Sequence, residues 1–367
     1  MPYERAWPLP TLKHLVRLTD DCGVIQHATF WLPDYAQGYC VDDNSRALLV
    51  AHRYFRLFGD EIAHELMVRY LAFIHFVQRP DGRVRNFVGY NRMFLEEEGS
   101  PDSLGRTIWA LGHLSSIDEY YLAIPAREMV QRAWRNINPD APEHSLAYTL
   151  LGLCALGEVE RWRAEARELA APLADALLAR YQAERTPAWR WYLPELTYDN
   201  GRLPEALLQA GALLHRRELL DVALESLQFL NAVCYRQGHL SVVGCYGWYP
   251  RDGECALFDQ QPIDAGGMVE VNLAAYRLTN APEYFEYAVR AMDWFYGHNL
   301  QQASLYNTLS GGCHDGLHTR GVNENQGAES TIVHLLAQMS MYQFAPELFA
   351  PALPGLPVEE DAPMREQ

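Results

Sequence analysis

The stretch Asp42-Asp43-Asn44-Ser45-Arg46-Ala47-Leu48 sets a polar, acidic cluster directly ahead of a small-residue helix. Acids and amides suit a helix start, where unpaired backbone N–H groups and the helix dipole attract negative charge. The same phrase returns five times. It reads Asp102-Ser103-Leu104-Gly105-Arg106 before Trp109-Ala110-Leu111, then His144-Ser145-Leu146-Ala147 with Cys154-Ala155-Leu156 further on. It reads Asp199-Asn200-Gly201-Arg202 before Glu205-Ala206-Leu207, then Asp264-Ala265-Gly266-Gly267, and last Asn325-Gln326-Gly327-Ala328-Glu329. Intervals of roughly 40 to 65 residues mark a repeat architecture in which one helical unit recurs.

Six other amphipathic segments lie between these phrases, over 10–19, 61–78, 118–137, 161–182, 216–234 and 282–297. Several are charge-rich on one face, as in Arg161-Trp162-Arg163-Ala164-Glu165-Ala166-Arg167-Glu168, which describes an outer helix covering an inner one. The inner set is richer in Gly and Ala, as helices crowded around one axis require. Six inner–outer pairs predict an all-α (α/α)6 barrel, a six-hairpin toroid filling residues 1–348. The Pro-rich acidic stretch 349–367 is expected to be a poorly ordered tail.

Loop lengths are asymmetric. Inner-to-outer turns are tight, as at Phe58-Gly59-Asp60 and Thr279-Asn280-Ala281-Pro282. Outer-to-inner connections over 20–41, 79–101, 183–200, 235–263 and 298–324 mostly run to about 20 to 30 residues, a length that usually carries function. In an alternating toroid they all fall on one face, at the N-terminal ends of the inner helices. That face is the expected site.

Composition narrows what the site can take. Net charge is −17 with no basic stripe, which disfavours nucleic acid. No run of about 18 apolar residues could span a bilayer. Seven cysteines at irregular spacing contain no CxxC pair and fit neither a metal framework nor a secreted disulfide scaffold. Met1-Pro2-Tyr3-Glu4-Arg5 lacks the basic and apolar segments of a signal peptide, so a cytoplasmic location is expected. No nucleotide or dinucleotide fingerprint and no GxSxG elbow occurs, and no cofactor is expected.

Carboxylates at convergent helix starts experience opposing influences: like charges raise their pKa values, helix N-termini lower them. Such opposition can separate an acid from a base, as glycosyl hydrolysis requires. Asp43, Asp102, Asp199, Asp264 and Glu329 form the candidate catalytic pool. Taken singly, each reads as a helix cap. Asp42 stands beside Asp43 in the same cluster. Arg46, Arg106 and Arg202 read as structural ion pairs between helix starts, or as clamps on an anionic group. Gln260, Gln261, Asn325, Gln326 and Glu270 supply the amides and acid that sugar hydroxyls pair with. Tyr90 and Trp191, with Trp31, Tyr39, Trp189, Trp248 and Tyr249 in the same long loops, read as stacking surfaces. His27, His314 and His318 would serve an epimerase or isomerase. His314 and His318 have helical metal spacing, but the glycines around them argue against a helix, and no metal is expected.

The phrases at 42–46 and 102–106, together with Phe258-Asp259-Gln260-Gln261-Pro262 and Asn325-Gln326-Gly327-Ala328-Glu329-Ser330-Thr331, resemble bacterial proteins of the six-hairpin glycosidase-like superfamily. Similar domains there are often associated with, or attached to, a glycosyltransferase. The resemblance spans nearly the whole chain and implies an (α/α)6 barrel with a sugar site at the inner-helix N-termini. It carries no catalytic assignment. The expected activity is inverting hydrolysis of a short oligosaccharide. Phosphorolysis, epimerisation or isomerisation, and non-catalytic carbohydrate binding stand as alternatives.

Overall fold

A computed structural model describes residues 6–350. Six inner helices, α2 (Val41–Phe58), α4 (Pro101–Leu114), α6 (Glu143–Gly157), α8 (Arg202–Leu214), α10 (Pro262–Thr279) and α12 (Ala328–Phe344), touch in sequence, and α12 returns to α2. The ring is closed. Outside it lie α1 (Lys13–Leu18), α3 (Glu61–Val77), α5 (Tyr120–Ala133), α7 (Arg163–Glu184), α9 (Arg217–Cys234) and α11 (Pro282–Trp294). Each outer helix packs on an inner one, α1 on α12. Five fall within the segments expected as outer helices, and α7 runs two residues past its expected end at 182.

The two rings differ because their surroundings differ. On α6 every residue from His144 to Gly157 is buried, as a helix enclosed on all sides requires. On α7 burial is confined to a stripe of Ala166, Ala170, Leu173, Ala174, Leu177, Leu178 and Tyr181. Crowding is greatest where α4 meets α6. A Cβ added to Gly112 would stand 2.1 Å from the Gly152 carbonyl oxygen, and one on Gly152 would stand 2.4 Å from the Ile108 carbonyl oxygen. Only glycine fits this contact.

Tight turns at the inner C-termini use left-handed residues to end the helix: Gly59 (φ 64°), His215 (φ 56°) and Asn280 (φ 55°). The long connections gather at the opposite end and hold only two-residue ladders. The α5–α6 link is the short exception. Chain ends close the ring: Trp7-Pro8 pairs in parallel with Phe349-Ala350, and the Trp7 ring meets Phe349 edge-on at 5.5 Å. Those two residues are the only part of 349–367 that lies among the described residues. The first long loop is stitched to the last by Gln326 N–H to the Phe30 carbonyl (2.7 Å) and Ala328 N–H to the Gln26 carbonyl (2.9 Å). No helix among the described residues is long and apolar enough to cross a membrane.

Candidate active site

The six polar phrases open the inner helices, but their acids do not cap them. Cys40 Sγ caps α2 by accepting from Asp43 N–H, and Ser100 Oγ caps α4 by accepting from Ser103 N–H. The cap residues of α8, α10 and α12 make no side-chain cap bond. The capping role expected of single acids is therefore filled by other residues. Asp43, Asp102, Asp264 and Glu329 sit in the first turns, and Asp199 precedes α8 in a left-handed conformation (φ 43°). Their carboxylates are instead held by side chains, that of Asp43 by Arg46 on its own helix and the others by neighbouring elements.

A belt of polar contacts runs round that mouth. From α12, Glu329 Oε2 pairs with Arg46 Nη2 at 2.9 Å, and the same nitrogen pairs with Asp43 Oδ1 at 2.8 Å. Asp42 Oδ2 lies 3.3 Å from Arg106 Nη1, joining α2 to α4. Arg106 Nη2 donates to Tyr148 Oη (3.0 Å), and Tyr148 Oη donates to Asp199 Oδ2 (2.7 Å), carrying the belt through α6 to α8. Arg202 Nε lies 3.4 Å from Asp199 Oδ1, and Asn200 Nδ2 donates to Asp264 Oδ1 (3.4 Å) on α10. Asp102 accepts from the hydroxyls of Ser145 and Tyr198. All three arginines thus carry carboxylate partners, the first of the two readings weighed for them.

The pKa values of two carboxylates on neighbouring helices are pushed in opposite directions. Burial raises the Asp264 pKa well above the usual carboxylate range, and the charges of Asp199 and Glu329 push it further. No cation touches it, and its Oδ2 is buried without a hydrogen-bond partner. At Glu329 burial also pulls upward, but Arg46 and Arg106 outweigh it and hold the carboxyl below its ordinary value. The Glu329 side chain is 46% exposed, so solvent weakens the burial penalty and the ionised form is favoured. Asp43 is raised by burial, with Arg46 opposing.

The belt is under-satisfied. Asp42 Oδ1, Arg46 Nη1, Arg106 Nε, Asp199 Oδ1, Arg202 Nε and Asp264 Oδ2 are all buried without a hydrogen-bond partner among the described residues. Each such group costs about 1–3 kcal/mol, so a native protein rarely concentrates six along one belt without a functional reason.

Other expected binding residues divide by their surroundings. Gln260 is fully buried; its Oε1 accepts from Trp294 Nε1 (2.9 Å) and its Nε2 donates to Ser241 Oγ (3.1 Å) and the Leu257 carbonyl (3.0 Å). Its amide holds the loop together and is not free for a substrate. Gln326 is likewise enclosed, accepting from Ser310 Oγ, and Asn325 Oδ1 accepts from Phe30 N–H. Gln261 remains half-buried at the front of α10. Trp191 was expected to offer a stacking face but is 0% exposed, edge-on to Tyr192. Tyr39 and Trp189 are enclosed too. Tyr90 (48% exposed) and Trp31 (38% exposed) keep accessible faces, Tyr90 packing on Tyr35 at 4.9 Å.

The three histidines have separate partners. His314 is buried with Nδ1 3.1 Å from the Asn323 carbonyl, and His318 Nδ1 lies 3.7 Å from Asp259 Oδ2. His27 is exposed beside Glu329 and Asp315, whose titration its charge influences. Glu270 lies midway along α10, paired with Arg53 (2.9 Å) and 3.8 Å from Arg202 Nη1, and lines a cavity of about 820 Å³ that opens at the inner-helix C-termini. At the mouth a smaller hollow of about 330 Å³ is walled by Phe30, Trp31, Leu32, Asn307, Glu324 and Gln326. The larger cavity meets the belt at Glu205 and Glu270, the partners of Arg202, and volume alone does not make it the catalytic site.

Sequence reasoning missed Tyr148, Tyr198 and Asp315. Tyr148 stands in the apolar run Ala147-Tyr148-Thr149-Leu150 and reads as core. Tyr198 could have been noticed as the neighbour of Asp199. Asp315 reaches from the last loop to accept from Gly327 N–H (2.7 Å) and Ser330 Oγ (2.8 Å), serving as the cap α12 lacks.

No protein-family model matches the chain, and no curated protein sequence matches it. Solved structures do. A cellobiose 2-epimerase from Bacillus thermoamylovorans superposes with a TM-score of 0.69 at 12% identity, over 90% of this chain and 96% of that one. A D-mannose isomerase gives 0.68 at 10% identity, over 90% and 96%. The chain has the six-hairpin glycosidase-like fold. A GH76 α-mannanase from Bacteroides thetaiotaomicron shares this (α/α)6 barrel, with a TM-score of 0.65 at 13% identity over 92% of this chain and 95% of that one.

Proposed function

We propose that this six-hairpin barrel is a carbohydrate-active enzyme that hydrolyses a glycosidic bond in a short oligosaccharide with inversion. The observation that carries the reading is the contrast between Asp264, buried and without an ion-pair partner among the described residues, and Glu329, paired with Arg46, on adjacent inner-helix starts, which pushes their pKa values in opposite directions. Asp264 donates its proton to the glycosidic oxygen as the C–O bond breaks. Glu329 accepts a proton from the water that attacks the anomeric carbon from the opposite face. Arg46 keeps Glu329 ionised until the water proton arrives. The polar belt of Asp42, Arg46, Arg106 and Asp199 frames the mouth that receives the sugar, and Tyr90 and Trp31 offer apolar faces to the rings.

Epimerisation or isomerisation is the second reading, supported by the epimerase and isomerase that share the fold. The separate partners of His27, His314 and His318 weigh against the histidine arrangement that reading calls for. Phosphorolysis calls for a cleft arginine free of carboxylates, and Arg46, Arg106 and Arg202 each carry one.

Chromatography of purified protein with manno-, gluco- and galacto-oligosaccharides, with and without phosphate, tests the reading. Free sugar released without phosphate, in the inverted anomeric form by early NMR spectra and lost in Asp264→Asn and Glu329→Gln, is the expected result. A product of unchanged mass would instead establish epimerisation or isomerisation. Sugar binding without turnover would establish a binding protein.

A further inference from the structure

The cavity of about 820 Å³ at the inner-helix C-termini takes no part in the proposed hydrolysis. It opens at the short-turn end, and outer helix α7 joins the inner helices in its wall. Helix C-termini are the negative ends of helix dipoles, so a last-turn arginine there is an ordinary complement. Arg56 on α2 and Arg277 on α10 are explained that far.

Two features go beyond this explanation. The first is convergence of unneutralised charge. Arg167 reaches in from α7, bonded to the Leu213 carbonyl (2.8 Å) and His215 Nε2 (2.6 Å) with no carboxylate. Arg56 and Arg277 likewise have no carboxylate partner among the described residues, and Arg277 lies 5.1 Å from the centre of the Phe344 ring. The wall acids Glu205 and Glu270 are already paired with Arg202 and Arg53, which leaves Glu158 alone against three guanidinium groups. In a chain of net charge −17 this wall runs against the average.

The second feature is His52. It is 2% exposed, lines this cavity, and neither ring nitrogen has a hydrogen-bond partner. Burial, with Arg56 and Arg53 nearby, holds its pKa at about 4, so at neutral pH it presents one N–H donor and one acceptor. His113 in the same wall is held at about 3 by burial and Arg53. A buried imidazole with both nitrogens unpaired, beside Arg56 in a wall that also holds Arg167 and Arg277, is a binding constellation rather than packing.

We propose that this cavity is a second ligand site, taking a small phosphate ester whose phosphoryl oxygens pair with Arg56, Arg167 and Arg277 and whose other polar groups pair with His52. Guanidinium groups match phosphoryl oxygens in geometry as well as charge, and three of them suit a dianion. The volume exceeds what a bare anion needs and lies within the range of small-molecule sites, roughly 300–1,000 Å³.

Calorimetric titration of the full chain with pyrophosphate, glucose 6-phosphate and ADP tests the site. Arg56 and Arg277 are exposed, so the double variant Arg56→Gln/Arg277→Gln should keep the unliganded melting temperature. Ester binding is expected in the wild type, weakened about 10- to 100-fold in that variant and reduced by salt. It should persist in Asp264→Asn, which separates this site from the mouth. Tighter binding of glucose 6-phosphate assigns a sugar phosphate, and tighter binding of ADP a nucleotide. No ester binding, pyrophosphate binding alone, or unchanged affinity in the double variant overturns the proposal.

Discussion

Arg46→Met isolates the ion pairs that hold the mouth together. The Arg46 side chain is 4% exposed and its Nη2 serves both Asp43 Oδ1 (2.8 Å) and Glu329 Oε2 (2.9 Å). Methionine fills similar space without charge, leaving Asp43, 8% exposed at its side chain, as a buried carboxylate with no cation. Removing one partner of such a pair costs about 3–5 kcal/mol. Unfolding entropy of about 2.1 cal/mol/K per residue over 367 residues amounts to about 0.8 kcal/mol/K, so the melting temperature should fall by about 4–6 °C. The loss depends on pH in a defined direction. Glu329 is held below its unfolded value by Arg46 and Arg106, so its stabilisation is present above that value and disappears as pH falls through the folded one. Burial raises Asp43 already, and loss of Arg46 raises it further. The deficit should therefore be largest near pH 8 and shrink as pH falls through the carboxylate range and below it, vanishing only once the lowered folded value of Glu329 has been passed. Calorimetric melts across that range read it directly. Asp43→Asn added to Arg46→Met should recover part of the loss by removing the stranded charge. A drop below about 1 °C, or one that does not change with pH, would refute the assignment of these ion pairs as buried and net stabilising.

Asp264→Asn should abolish sugar release yet raise the melting temperature. The folded pKa of Asp264 is raised, so its penalty is absent at low pH and grows as pH climbs toward the folded value; the gain should be larger at pH 8 than at pH 5 by thermal melts. Trp191→Ala should cost about 3–5 kcal/mol by denaturant unfolding, because the ring is fully enclosed. Tyr90→Ala should change stability by no more than about 0.5 kcal/mol while weakening oligosaccharide binding, and equal stability losses in the two variants would sink the distinction. Gly112→Ala should destabilise by about 1–3 kcal/mol or more, since its Cβ would stand 2.1 Å from the Gly152 carbonyl oxygen; an unchanged melting temperature would mean that α4 and α6 are not so close.

What the chain settled by itself is the barrel and the end at which chemistry is expected. The recurring acid–amide–Ala-Leu phrase marks every inner helix start, and helical periodicity gives the outer partners, because both are local properties that need no tertiary information. Long loops on one side followed from counting residues between helices. Charge partnership was not local. Nothing in the sequence says that Asp42 belongs with Arg106 on the next inner helix, or that Arg46 bridges Asp43 to Glu329, 283 residues away. Nor could it show that Glu329 has two arginines nearby while Asp264 has no ion-pair partner among the described residues, which pushes their pKa values in opposite directions. Burial sorted the aromatics and amides in the same way: Trp191 and Gln260 vanish into the scaffold, Tyr90 and Trp31 stay at the surface. The cavity lined by His52 was equally illegible, since its arginines come from helices far apart in the chain. Residue type and spacing determine which elements form; protonation state and accessibility depend on which side chains the closed ring brings within a few ångströms, and only the tertiary structure decides that.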